Sequence, residues 1–460
     1  MKTIRSITLS LATIVIAACS EQPAAMSKHI AAVQSFPNMK LFREQTLIRG
    51  VERSNADIFE EFIDYAFALE SGETLTALSR FEGPIRVALI NSHSRIIEHD
   101  LDILVARLQK EAGIPIRRVA DPTSANIVIE MITKRQLNRT APNAACIVVP
   151  RMSSWTEFRK NRFNRRSDWT SLYERKRVAI FIPGDISFQD VRDCLHEELA
   201  QALGPLNDLY RVSDSVYNDD NFHIILTSYD MLLLQIFYAP EFRSGMIKDE
   251  VAALLPAILR RLNPKGIGRT PRQLQETPKA WKHAIETALG MRKTTDVRTA
   301  AAARAVRLAK RARIDDHRLG FSFFTRARAV ASTDPIAAAK DYTRAYAIFL
   351  QAFGPNDIHT AHVALQLASF SVSVGKFRQA LQYIEPSLVG AKLAQNGRLM
   401  LSLLAMKAAI YEKQGRLTEA EAIYQEAIGW GHYGVHAPSD ITARLQLISD
   451  LFPKTSLTEG

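Results

Sequence analysis

Apolar residues recur at helical spacing over residues 55–70 (Ile58, Phe62, Ile63, Tyr65, Ala66, Leu69) and 96–108 (Ile97, Leu101, Leu104, Val105, Leu108), which predicts two amphipathic helices. Short segments rich in β-branched residues at 84–90, 114–119, 126–131, 145–149 and 176–182 predict strands. The turn Pro183-Gly184-Asp185 follows the last of these, and Asp185 or Ser187 is placed to cap a helix that runs to Leu203. Gly204 is its stop signal and Pro205 lies just beyond. A further helix is expected over 231–238. Helices and strands interleaved in this order predict an α+β domain over residues 51–255. Residues 151–173 break the pattern. They set Arg159, Lys160, Arg162, Arg165 and Arg166 among Trp155, Phe158, Phe163 and Trp169, and read as a mobile surface loop or one touching anionic lipid or glycan.

A helical connector is expected over 256–298, and from about residue 299 to 455 the chain becomes alanine-rich helix with an internal repeat. Around Gly415 stand Leu404, Ala408, Tyr411, Leu417, Ala420, Tyr424 and Ala427. Around Gly375 stand Ala364, Leu367, Ala368, Phe377, Ala380 and Ile384. A weaker copy has Ala338, Tyr342 and Ala345 after Thr333. Small residues where two helices touch, a turn glycine and aromatic wedges resemble tetratricopeptide helical hairpins. The turns lie 42 and 40 residues apart, longer than the 34 typical of that repeat, so irregular junctions are expected. The resemblance implies a protein-binding face; a scaffold that only braces the first domain is the alternative.

The amino terminus changes the setting. Lys2 and Arg5 precede an apolar run, residues 7–18, that is too short for a stable membrane span. It ends Ile16-Ala17-Ala18-Cys19, which resembles a bacterial lipobox. The expectation is a signal peptide over 1–18, cleavage before Cys19, lipid on Cys19, and a tether over 19–50. The partner is then the membrane, and the site the periplasmic side of the cell envelope. Ser20 after the cysteine implies the outer membrane. Loss of Lys2 and Arg5 lowers the net charge from +11 to +9, a modest excess, and no nucleic-acid partner is expected in that compartment. Of the three cysteines, Cys146 and Cys194 remain where disulfides are permitted, so a bridge between them is expected. Two buried free thiols are the alternative.

Candidate chemistry gathers in Cys194-Leu-His-Glu-Glu-Leu-Ala-Gln-Ala-Leu-Gly204-Pro-Leu-Asn207. Leu195, Leu199, Ala202, Leu203 and Leu206 mark a buried face, so His196, Glu197, Glu198 and Gln201 stand on or beside it. The run resembles the HExxH zinc helix of zincin peptidases, which places two ligands at i and i+4 and a general base at i+1. With His196 first, the second ligand falls on Ala200. With Glu197 first, Glu198 is the base, Gln201 the second ligand, Gly204 the metzincin glycine and Asn207 the third ligand. In that register Glu, Gln and Asn stand where zinc wants imidazoles. A hard oxygen set favours calcium, magnesium or manganese, if any divalent metal. His196 with Glu197 and a distant His223, Asp219 or Asp220 is a further ligand set.

Residues 194–204, Asn218-Asp-Asp-Asn221, Leu226-Thr-Ser-Tyr-Asp230 and Asp316-His-Arg-Leu-Gly320 together resemble a bacterial family of lipoproteins of unknown function. The function expected is an envelope lipoprotein whose zincin-like domain is non-catalytic and whose repeats bind protein. The alternative is an active metal-dependent peptidase or hydrolase with Glu198 or Glu197 as general base.

Overall fold

A computed structural model describes residues 39–42, 51–142, 144–272, 274–290 and 292–453. The signal peptide, Cys19 and most of the tether lie outside these residues. The described chain falls into two compact units, one reaching Leu274, the other beginning at Gln275 and including the short segment 39–42. Among the described residues, no helix is long and apolar enough to cross a membrane.

The first unit is mixed α/β. Helix α1 (Asn55–Phe67) starts where Ser54 accepts a hydrogen bond from the Asp57 amide. Strand β1 (Ile85–Ile90) feeds α2 (Arg95–Ala112), which ends on left-handed Gly113. Then come β2 (Ile116–Arg118), β3 (Ile127–Ile132), α3 (Lys134–Thr140), β4 (Ile147–Pro150), α4 (Trp155–Asn161), β5 (Val178–Pro183), α5 (Phe188–Leu203), α6 (Ser228–Phe237) and α7 (Lys248–Leu262). One sheet runs β2-β1-β3-β5-β4. All neighbours are parallel except the edge strand β4, which runs antiparallel to β5. The five strands match the expected segments to within two residues; all but the short β2, Ile-Arg-Arg, are largely apolar runs bounded by polar or turn residues.

Strand β5 is buried along its whole length, so its side chains serve two cores. Val178, Ile180 and Ile182 face the main core with α1, α2, α5 and α6, while Ala179 and Phe181 face a smaller one. Residues 151–173 supply that smaller core and are not the surface loop expected from their polarity. Trp155 and Phe158 sit in α4, 5% and 1% exposed, with ring centroids 5.1 and 5.6 Å from Phe181. Trp169 joins the main core, and of the four aromatics only Phe163 is open to solvent. Burying each large ring is worth about 2–3 kcal/mol, which outweighs the cost of ordering a short basic segment.

The second unit is all helix: α8 (Lys279–Leu289), α9 (Thr295–Arg311), α10 (His317–Val330), α11 (Pro335–Phe353), α12 (Ile358–Ser373), α13 (Phe377–Leu393), α14 (Gly397–Lys413), α15 (Leu417–Gly434) and α16 (Pro438–Ser449). Helices α10/α11, α12/α13 and α14/α15 pack as successive hairpins. The last two turn at Gly375 and Gly415, whose φ of +73° and +77° suit glycine. Ala338, Ala345, Ala368, Ala380, Ala408, Ala420 and Ala427 are fully or almost fully buried, as their expected place between helices requires.

Candidate functional site

Helix α5 carries the site because three devices fix it. Ser187 caps its start, accepting from the Asp190 amide. Cys194 is joined to Cys146, just ahead of β4, so the helix is tied covalently to the sheet edge. Its C-terminal carbonyls are capped by Arg175, whose guanidinium donates to Gln201 O (2.5 Å), Ala202 O (2.8 Å) and Gly204 O (2.6 Å). Burial pushes Arg175 down to about 10, so it stays cationic at neutral pH, where its charge suits the negative end of the helix dipole. Gly204 closes the helix as expected, for a steric reason beyond conformation. A Cβ there would stand 2.9 Å from the Phe237 ring of α6. Tyr238, next along, donates to Leu203 O at 3.0 Å.

The structure separates the candidate residues into those spent on the backbone and those left in a buried acidic cluster. His196 is 1% exposed, and its Nδ1 accepts from the Leu226 amide at 3.0 Å. Burial, with the charges of Arg192 and Arg107, holds its pKa well below the usual range, so it is a neutral ring fastening residue 226 to α5. Asn207 donates from Nδ2 to Asp64 O (3.0 Å) and accepts at Oδ1 from the Asp208 amide (2.9 Å). Both ends of that amide are engaged by main chain. Gln201 is 5% exposed on the same helix, four residues from Glu197 and three from Glu198.

Glu198 is 0% exposed, and neither carboxylate oxygen has a hydrogen-bond partner. Burial and the neighbouring Asp208 and Asp193 carboxylates push it up to about 8. Burial and the charges of Glu198, Asp208, Asp193 and Asp219 also raise Glu197 well above the carboxylate range. The Tyr217 hydroxyl is buried and unpartnered too, and it feels Glu197 and Asp208. Glu198 and the Tyr217 hydroxyl are thus buried polar groups without hydrogen-bond partners, each under the influence of nearby acids. Such groups need protons, water or a cation to be tolerated, and a cation seated there would lower both glutamates.

Asp230 takes a different part. It accepts from Ser215 Oγ (2.5 Å), the Val216 amide (3.2 Å) and the Thr227 amide (2.8 Å), so it ties the loop after α5 to the start of α6. Sequence reasoning missed Arg175, whose backbone-carbonyl partners leave no trace in residue spacing. It also missed Tyr217, one tyrosine in a polar loop. A separate cavity of about 310 Å³ beside the start of α1 is lined by Glu52, Arg53, Asp57, Asp214, Arg269 and Arg272. Its guanidiniums face carboxylates: Arg53 pairs with Glu61 and Asp214, and Arg272 with Asp57 and Glu61.

Residues 55–257 match the family described as "Protein of unknown function (DUF2927)". This segment is a DUF2927 domain. The helical unit follows it in the chain. Searches of curated proteins and of solved structures matched nothing. The DUF2927 match spans the sheet, α5 with its acidic cluster, and most of α7, so the devices that fix α5 belong to the domain.

Proposed function

We propose that the protein is a lipid-anchored envelope protein whose DUF2927 domain keeps a zincin-like frame without zinc catalysis, and whose helical hairpins bind a protein partner. One observation carries the first part: two of the candidate ligand side chains, His196 and Asn207, are committed to main chain. His196 Nδ1 accepts a main-chain N–H, Asn207 bonds to main chain through both amide atoms, and the glutamate at the general-base position is buried. Burial and the Asp208 and Asp193 charges raise the Glu198 carboxyl, so without a cation beside it the group holds its proton more tightly than a free glutamate. The sheet-then-helix order and the glycine at the end of α5 support the zincin-like frame. The Cys146–Cys194 bridge supports an oxidising compartment. The lipobox-like run ending at Cys19 supports the anchor, and the buried alanines and glycine turns support tetratricopeptide-like hairpins.

A second reading, a metal-dependent hydrolase, draws on the unpartnered Glu198 carboxyl, since a metal would ionise it and give it a role. Assay of the full chain against casein and a peptide library, with zinc, calcium or manganese added, tests the choice. The proposal expects no hydrolysis above a Glu198→Ala control. Turnover abolished by Glu198→Ala would replace it with the second reading.

A further inference from the structure

Two stretches carry much of the chain's positive excess: residues 151–177, with nine lysines and arginines and three acids, and residues 292–313. Residues 292–313 hold eight lysines and arginines and a single acid, Asp296, in a protein whose whole net charge is +11. Most of this segment is α9. Its alanine-rich face is buried through Ala301, Ala302, Ala305, Val306 and Ala309, which leaves Arg304, Arg307 and Arg311 exposed. Their i, i+3, i+7 spacing sets them in one stripe, about 10 Å long, on the opposite face.

Several other cations of the helical unit have acids beside them. Lys407 pairs with Glu385, Arg416 with Glu419, and Arg326 and Arg344 share Asp341. Among the described residues Arg304, Arg307 and Arg311 have no ion pair. Like charges stacked along one helix face repel each other, so the stripe is destabilising until an anionic surface meets it.

We propose that this face of α9 docks on an anionic phospholipid surface. The choice of occupant rests on the envelope reading above. The chemistry favours it independently: α9 contains no aromatic side chain for stacking on bases. A row of separate guanidiniums on a convex helix suits a plane of phosphates. Each cation near such a surface adds to binding, and together the three account for about 100-fold in affinity.

The test uses residues 20–460, so that neither the apolar run 7–18 nor lipid on Cys19 plays a part, pelleted with vesicles of phosphatidylcholine alone or with about 30 mol% phosphatidylglycerol. The proposal expects binding to the anionic vesicles only, released by about 0.5 M salt. Arg304→Gln/Arg307→Gln/Arg311→Gln should weaken it about 100-fold. Glutamine keeps the helix propensity, and an unchanged melting temperature verifies the fold. Arg159→Gln/Lys160→Gln/Arg165→Gln, which removes the same charge from the first unit, should leave binding within about threefold. Equal binding to neutral vesicles, no loss in the α9 variant, or equal loss in the control would overturn the proposal. So would tight binding of a DNA duplex with the vesicles ignored. None of these outcomes depends on whether wild-type Cys19 carries lipid.

Discussion

Glu198 is the residue on which the functional account turns, because an unpartnered carboxyl in a core costs stability unless it has work to do. Its burial was legible in the sequence, from the apolar face on which it stands. The commitments of its neighbours were not: His196 bonds to a main-chain amide 30 residues away and Asn207 to a carbonyl 143 residues away, and backbone atoms leave no mark in sequence. Glu198→Met, with similar length and no polar atom, should stabilise the protein by about 1–3 kcal/mol at pH 7.5 in urea unfolding. A loss of stability would mean that the carboxyl is held by a cation or ordered water. Asp230 gives a pH signature. Burial raises it from 3.8 to about 6. Below about pH 4 the carboxyl is protonated folded and unfolded and contributes nothing. As pH rises towards 6 the unfolded chain ionises first, so stability falls, by about 3 kcal/mol once the folded group has ionised. Subtracting the pH profile of Asp230→Asn from that of the wild type should reveal this decline between about pH 4 and 6. A flat difference would show that Asp230 titrates normally.

At the scale of elements, periodicity predicted what packing later used: five strands, α1, α2, α5 and the hairpins all follow apolar spacing. It failed for α4, because a helix of seven residues is too short for a period and its two anchors, Trp155 and Phe158, lay among arginines. What periodicity could not show is how α5 is held. The disulfide closes a loop with a sequence separation of 48. In the chain-entropy view Cys146→Ser/Cys194→Ser therefore costs about 4 kcal/mol, read as a lower urea midpoint. An unchanged midpoint would mean that the packing of α5 on the sheet suffices. Gly204→Ala drives a methyl into the Phe237 ring and should cost about 1–3 kcal/mol. In a Gly204→Ala/Phe237→Leu double-mutant cycle most of that clash should vanish. Additive losses would place its cause elsewhere.

For the whole molecule, the two compact units divide the proposed tasks: the DUF2927 domain holds the buried acidic cluster, and the helical unit holds the hairpins and the basic stripe of α9. Membrane attachment is argued from the run ending at Cys19 and is checked by feeding cells a fatty-acid analogue. Label is expected on the wild type and lost in Cys19→Ala, and an unlabelled wild type would end that reading. The central claim is that the zincin-like frame has lost its zinc site. Elemental analysis of the full chain, purified without chelators and dialysed against zinc, tests it most directly. The account predicts zinc far below one atom per chain, unchanged by Glu197→Ala or His196→Ala; one tightly held zinc per chain, lost in either variant, would contradict it.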